Sequence, residues 1–171
     1  MVKPRVEQIA DVAWELLDTE GEPGLSMRRI AAALGVSAPS LYKHVTCRDD
    51  IVALVQGRTL IEGAAVMRRA LRRRSADPGL AAAMAYRRWA LAHPAQYTLT
   101  YGQPLLRHLL PPGLEDQAAM VVVEHAGGDE ITARLMFATA HGLISLELAG
   151  RFPDDANLDA VWRAAFGRAA H

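Results

Sequence analysis

The chain has 171 residues, of which 51% are hydrophobic, and it carries no formal net charge at pH 7. This composition supports a packed core and excludes a disordered chain, and no apolar run approaches the roughly 18 residues of a membrane span. The N-terminal segment lacks the apolar stretch of a secretory signal, and the single cysteine, Cys47, excludes an intrachain disulfide. We therefore expect a cytoplasmic protein.

The first quarter of the chain predicts three helices. Its alanine and leucine content and its three- and four-residue apolar spacing are typical of helices, and alternating β-branched runs are scarce. The predicted elements are a helix over 4–20, a turn over 21–24, a helix over 26–34 that Ser26 caps and Gly35 ends, and a very short helix over 38–44 that Ser37 caps.

A long fourth helix is predicted over 48–74. Its N-terminal cap is either Thr46 with Asp49 or Cys47 with Asp50, and the first pair matches a capping box better because cysteine is a poor cap. Gly57 and Gly63 lie inside this helix, where each costs about 1 kcal/mol relative to alanine, so they indicate close packing or a bend.

The remaining chain also has helical periodicity, so the predicted fold class is all-α. Proline and glycine mark the ends of its elements. The predicted helices are 80–93, a short helix over 105–110, 114–125, 129–149 and 155–168, with a looser stretch over 94–104.

The segment 25–45 predicts a helix-turn-helix. In that motif the first helix crosses the DNA backbone and the second lies in the major groove. Gly35 supplies the positive φ that the tight turn needs. Apolar residues stand where the two helices must lock together, namely Ile30, Ala31, Leu34, Val36 and Leu41.

The basic residues of this segment agree with such a role. Residues 26–48 contain Arg28, Arg29, Lys43 and Arg48 and no acidic residue. A local basic patch on a neutral protein suits contact with DNA through one small face. A chance cluster on a surface helix pair explains the same charges, so charge alone leaves both interpretations open.

The pattern resembles the TetR family of transcriptional regulators almost position for position over the first third of the chain. It reads GLSMRRIA at 24–31, LGVS at 34–37, LYKHV at 41–45 and RDDI at 48–51. Cys47 departs from it, because serine or asparagine is frequent there. The resemblance implies an N-terminal three-helix DNA-binding domain over 1–47 and a helical ligand-binding and dimerisation domain over 48–171.

The resemblance also implies roles for individual residues. It assigns Tyr42, His44 and Arg48 to phosphates and Arg28 to a base or a phosphate. It places Ser37, Pro39, Ser40 and Lys43 toward the groove. Arginine and lysine can read guanine edges, and short hydroxyl side chains can contact phosphate. The alternative is that Tyr42 and His44 only pack under the fourth helix.

The last two predicted helices favour a homodimer. The helix 131–149 is apolar almost all round, and Ala138, Gly142, Ser145 and Ala149 form a stripe of small residues on it. The final helix adds an apolar face. Two helices per subunit would form a four-helix interface between two copies. The alternative is that both helices close the core of one subunit.

A second resemblance concerns the C-terminal part. Residues 89–97 and the sequence HGL at 141–143 resemble the WHG-type subgroup of the family. The family's effector pockets lie in this part of the chain, and pockets combine apolar walls with a few polar groups. The candidate lining residues are Met84, Trp89, His93, Tyr97, Tyr101, Met136, Phe137 and His141. Their alternative role is ordinary core packing.

The predicted function is a sequence-specific DNA-binding regulator, a repressor that a small-molecule effector releases from operator DNA. The alternatives are a constitutive DNA-binding regulator without an effector and a helical small-molecule-binding protein that has lost DNA binding. An enzyme is disfavoured, because no histidine pair has metal-ligand spacing and no nucleophile or phosphate-loop motif occurs. No catalytic residue, metal site or cofactor is predicted.

Overall fold

The structure, a computed structural model, describes residues 5–167, and this range contains nine α-helices and no strand. The all-α class predicted from the sequence is therefore confirmed. No helix in the described range is long and apolar enough to cross a membrane. The helices are α1 (Arg5–Glu20), α2 (Met27–Ala33), α3 (Ala38–Leu41), α4 (Arg48–Leu71), α5 (Pro78–Ala92), α6 (Pro94–Tyr101), α7 (Leu114–His125), α8 (Glu130–Leu148) and α9 (Leu158–Phe166).

The chain packs as two compact units. Unit 1 holds the described residues up to Leu60 together with Ala95–Glu115, and unit 2 holds Ile61–Pro94 together with the described residues from Asp116 onward. The domains predicted over 1–47 and 48–171 rest on the family resemblance rather than on packing, and they stay a prediction.

The core of unit 1 forms because α1 is amphipathic. Its inward face buries Ile9, Ala13, Trp14 and Leu17. The turn after α1 returns close to it, since a Cβ at Gly24 would stand 2.8 Å from the carbonyl oxygen of Leu16. The helix predicted over 4–20 is observed as Arg5–Glu20, and position 4 lies outside the described residues.

The cap of α4 differs from the favoured prediction. The carboxylate of Asp50 accepts hydrogen bonds from the Thr46 hydroxyl at 2.7 Å and from the Cys47 backbone N–H at 3.3 Å. Pairing Thr46 with Asp49 was therefore wrong. Asp50 is the third residue of the helix, from which a carboxylate reaches back to the free N–H groups before the first turn. These hydrogen bonds, with that of the Thr46 hydroxyl first, lower the pKa of Asp50.

Helix α6 was missing from the prediction, which had a looser stretch over 94–104. Pro94 was taken as a helix end, but proline is also favoured in a first turn, where its missing N–H costs nothing. Polar contacts hold α6 in unit 1. The buried Gln96 donates to the carbonyl oxygen of Trp14 at 3.1 Å and to the carboxylate of Asp18 at 2.8 Å. The spacing of apolar residues does not predict a helix that is held by polar contacts of this kind.

Three further predicted bounds were wrong. α3 ends at Leu41 instead of 44, and α4 ends at Leu71 instead of 74. The predicted helix over 105–110 is a single 3-10 turn at Arg107–Leu109. The helix predicted over 114–125 is observed with those bounds as α7.

Unit 2 is built around α5, whose alanine-rich face lets neighbouring helices approach. Gly63 on α4 lies against this helix, because a Cβ there would stand 2.9 Å from the ring of Tyr86. The fully buried Trp162 on α9 donates its indole N–H to Glu147 at 2.7 Å. Arg87 pairs with the same carboxylate at 2.9 Å. Asn157 caps α9, which starts at Leu158 rather than at the predicted 155; position 168 lies outside the described residues.

Candidate nucleic-acid interface

The turn between α2 and α3 is held by backbone hydrogen bonds. The Gly35 N–H donates to the Ala32 carbonyl at 3.1 Å and the Val36 N–H donates to the Ala31 carbonyl at 3.0 Å. Gly35 has a φ of 65°, which a residue with a side chain rarely adopts. The predicted glycine turn is confirmed, and it fixes the direction in which α3 leaves α2.

Of the five apolar residues predicted to lock α2 and α3 together, three are buried, whereas Leu34 and Val36 are half-buried. Ile30, Ala31 and Leu41 are buried, and Val45 after α3 is buried beside them. Because these side chains occupy one side of the pair, the polar residues of α3 and of the turn that follows it lie on the opposite, solvent-facing side.

The eight predicted DNA-binding residues all lie in unit 1. Tyr42 is 52% exposed, so it does not form part of the core. Ser40 is half-buried. The exposed members are Arg28, Ser37, Pro39, Tyr42, Lys43, His44 and Arg48.

Tyr42, Lys43 and His44 do not lie on α3 itself, because α3 ends before them. They form the tight turn that follows, in which the His44 N–H donates to the Leu41 carbonyl at 2.9 Å. Ser37 also differs from its predicted role. It stands at the N-cap of α3, but its side chain makes no capping hydrogen bond there, and its backbone carbonyl accepts from Ser40 instead.

Two of the basic residues are paired with acids. Arg29 binds Glu20 through two hydrogen bonds, and this contact lowers the pKa of the Glu20 carboxyl. Arg48 donates to Glu22 at 2.7 Å. By contrast, Arg28 and Lys43 form no ion pair within the described part of the chain.

Glu22 also accepts a hydrogen bond from Gln103 at 2.6 Å. Sequence reasoning missed Glu22 and Gln103 as neighbours of the predicted interface. They are 81 residues apart in the chain, and no local motif links such distant polar residues.

The eight predicted ligand-binding residues are divided between the two units. Tyr97 and Tyr101 lie in unit 1, where their tilted rings contact each other with centroids 4.7 Å apart. The others lie in unit 2, and of these only Met136 and Phe137 line a recess in that unit. The remaining predicted residues of unit 2 are Met84, Trp89, His93 and His141.

Three side chains that do not line this recess have aromatic neighbours, namely Trp89, His93 and His141. Trp89 lies between Tyr86 and His93, at ring-centroid distances of 5.8 and 5.6 Å. His141 stacks on Phe137 at 6.0 Å, and partial burial lowers the pKa of its imidazole. Residues 5–167 contain no group of three or more His, Cys, Asp or Glu side chains suited to a metal ion.

The chain is all-helical, a glycine turn joins α2 to α3, and the surface at the end of α3 exposes basic and hydroxyl-bearing side chains. These features define a helix-turn-helix DNA-binding protein. Residues 9–53 match the family described as bacterial regulatory proteins, tetR family, and residues 80–168 match the tetracyclin repressor-like C-terminal domain. The chain belongs to the TetR family. Members of this family are DNA-binding transcriptional regulators rather than enzymes, and they act as dimers on operator DNA. The WHG-type subgroup stays a prediction.

Relatives and solved structures agree with this assignment. The chain is 30% identical to an uncharacterized HTH-type transcriptional regulator, Rv0681 of Mycobacterium tuberculosis, over 91% of this chain and 75% of that protein. Other mycobacterial HTH-type regulators align at 34% identity over 66% of this chain. The aligned part spans about half of the length of those relatives.

Among solved structures, a protein of unknown function from Rhodococcus sp. RHA1 is similar with a TM-score of 0.73 and 26% identity, covering 96% of this chain and 92% of that one. A TetR/AcrR family regulator from Thermobifida fusca YX-ER1 shares the fold, with a TM-score of 0.64 at 17% identity over 98% and 99% of the two chains.

Proposed function

We propose that this regulator is a cytoplasmic homodimeric repressor that leaves its operator when a small-molecule effector binds. The observation that carries the proposal is the exposed surface at the end of α3, formed by Tyr42, Lys43 and His44. Beneath it lies the apolar seam, the buried residues Ile30, Ala31, Leu41 and Val45. DNA binding needs such donors on a rigid support, and the seam supplies the support.

Within this proposal each exposed side chain has a role. Tyr42 and His44 hydrogen-bond phosphates, and Arg48 reaches a phosphate after leaving Glu22. Lys43 and Arg28 have no acidic partner among residues 5–167 to displace. The side chains directed to the groove are Ser37, Pro39, Ser40 and Lys43.

The homodimer is proposed to form through α8 and α9. Ile131 and Leu135 on α8 are 77% and 67% exposed, an unusual degree for large apolar side chains. They continue the stripe of small residues that starts at Ala138. Gly142 supports this interface further, because a Cβ there would meet nothing within 4 Å in the subunit. Glycine costs about 1 kcal/mol inside a helix, and close approach of a second α8 would offset that cost.

The dimer interface is tested with Leu135→Asp. We expect this variant to sediment as a monomer and to bind operator DNA at least roughly tenfold more weakly, because a buried carboxylate without a partner opposes association. The fold of one subunit does not need Leu135, so circular dichroism stays unchanged. Arg88→Asp, at an exposed position of α5, is the control and remains dimeric. A dimeric Leu135→Asp variant contradicts this interface.

The effector role is tested once an operator has been selected from random DNA. A reporter gene behind that operator is repressed by the wild-type protein, and small molecules are screened for release of labelled operator in vitro. The effector acts by favouring a conformational state with lower DNA affinity. If no compound that binds the protein changes its DNA affinity, the protein is a constitutive regulator. If no DNA is selected, the protein binds small molecules alone.

A further inference from the structure

Unit 2 contains an open cleft of about 1000 Å³. It lies among the C-terminal ends of α4 and α7, the N-terminal end of α5 and the end of α9. The cleft does not coincide with the residues that the sequence predicted for ligand binding. Its walls include Arg68, Leu71, Arg72, Gly79, Glu124, His125 and Phe166.

A narrow recess of about 40 Å³ adjoins the cleft. Leu71, Val121 and Phe166 line both cavities, so the two spaces lie next to each other. Beyond them the recess is walled almost entirely by apolar side chains. These are Met67, Ala82, Ala83, Tyr86, Val122, Met136, Phe137 and Ala140. Such a surface binds an apolar group and rejects a charged one.

The outer part of the cleft differs in charge. Arg68 lies in the last turn of α4, and Arg72 directly follows the helix, where its backbone N–H donates to the Arg68 carbonyl at 3.2 Å. The two residues are therefore one helical turn apart, and both line the cleft. Neither forms an ion pair within the described residues. Asp77 also lines the cleft, but its carboxylate accepts the Leu80 N–H and caps α5. Glu124 is the other acid of the cleft.

Gly79 lets the His125 side chain lie close to the start of α5. A Cβ at this position would stand 2.8 Å from Nε2 of His125. Glycine therefore allows the imidazole to lie against the first turn of α5. Because Asp77 already caps this helix, the positive charge of the cleft comes from Arg68 and Arg72.

We propose that this cleft binds an amphipathic carboxylate, an aliphatic or aryl carboxylic acid. Its apolar part lies in the cleft along Leu71, Val121 and Phe166, which also border the recess, and its carboxylate is bound by Arg68 and Arg72. This inference rests on the proposed effector function and names the chemical class of the effector. Guanidinium groups bind carboxylates through paired, charge-assisted hydrogen bonds, which an alcohol of the same length does not form.

The test measures binding of octanoate, octan-1-ol and butanoate to the dimeric protein by calorimetry, without DNA. We expect octanoate to bind at least about tenfold more tightly than either of the others, because octan-1-ol lacks the charge and butanoate lacks the apolar length. The double variant Arg68→Gln/Arg72→Gln loses this preference for octanoate over octan-1-ol. Glu124→Gln strengthens octanoate binding because it removes a repulsive charge.

Arg69→Gln is the matched control, since Arg69 is exposed on the same helix and does not line the cleft. It binds octanoate as the wild-type protein does. Absence of octanoate binding, equal affinity for octanoate and octan-1-ol, or an equal loss in the Arg69→Gln variant would each overturn the inference. Operator binding is measured separately. Octanoate that binds through Arg68 and Arg72 without releasing DNA supports the site and contradicts the effector role.

Discussion

At the scale of single residues, Glu22 competes with DNA for Arg48. The two side chains are joined at 2.7 Å, and both are roughly half exposed. A phosphate that binds Arg48 must first displace this carboxylate. An exposed ion pair contributes between about 0.2 and 1 kcal/mol, so the competition is weak enough to be overcome and large enough to measure.

We therefore predict that Glu22→Gln binds operator DNA about two- to fivefold more tightly, the equivalent of up to about 1 kcal/mol. Fluorescence anisotropy with labelled operator measures this change. In an Arg48→Ala background the same substitution has no effect, because the competing guanidinium is gone. An equal gain in both backgrounds would mean that Glu22 acts through general repulsion of DNA and not through Arg48.

Asp50 gives a prediction for stability against pH. Its pKa is lowered in the folded protein, first by the hydrogen bond from the Thr46 hydroxyl. A carboxyl with a lowered folded pKa stabilises the protein above its unfolded pKa of about 4, and this contribution is lost as the pH falls through the folded value. We expect Asp50→Asn to lower the free energy of unfolding by about 1 kcal/mol at pH 7.

Urea unfolding between pH 7 and pH 3 measures the difference between Asp50→Asn and the wild-type protein. The difference should shrink toward the acid end of this range. Asp49→Asn is the control, since it removes the same charge from the same turn but no cap. A constant difference across the range would show that the carboxylate of Asp50 contributes nothing through its charge.

At the scale of the helices, the two glycines of α4 have different surroundings. A Cβ at Gly63 would stand 2.9 Å from the buried ring of Tyr86, whereas one at Gly57 would stand 3.4 Å from a methyl group of Leu110. The first contact requires a packed aromatic ring to move. The second is an ordinary van der Waals contact.

We predict that Gly57→Ala raises the free energy of unfolding by up to about 1 kcal/mol, the helix propensity of alanine over glycine. Gly63→Ala lowers it by about 1–3 kcal/mol, because overpacking outweighs the same propensity gain. Thermal unfolding of the two variants compares them directly. The packing explanation fails if Gly63→Ala is as stable as Gly57→Ala.

The helices also show what the sequence could predict. α1, α2, α5, α7 and α8 were predicted to within about two residues, because apolar periodicity agrees with the glycine or proline residues at their ends. α6 was missed because its contacts in unit 1 are made by buried polar residues such as Gln96. Burial of a polar residue depends on distant partners, and a local pattern does not contain them.

The candidate site was predictable to a similar extent. The exposed residues at the end of α3 follow from the helix-turn-helix pattern, which specifies both the buried seam and the opposite face. Arg68 and Arg72 were not among the residues predicted to bind a ligand. Their position beside an apolar recess depends on α7 and α9, which lie far away in sequence.

At the scale of the whole molecule, operator recognition needs two copies of the DNA-binding surface. Two half-sites of DNA lie about one helical turn apart, so a dimer reads a site with twofold sequence symmetry. We expect random-sequence selection with the wild-type protein to recover an inverted repeat. Recovery of single half-sites alone would show that the protein binds DNA as a monomer.

The central claim is that unit 1 reads DNA through the surface at the end of α3. Anisotropy measures it most directly, with the selected operator and a scrambled duplex over a salt series. The account predicts that the wild-type protein prefers the operator, that log K falls linearly with log salt, and that Tyr42→Ala weakens operator binding about tenfold. Lys43→Ala weakens it as well, whereas Arg73→Ala, which removes the same charge from an exposed position in unit 2, leaves it unchanged. Equal affinity for both duplexes, or equal losses in Lys43→Ala and Arg73→Ala, would contradict the account.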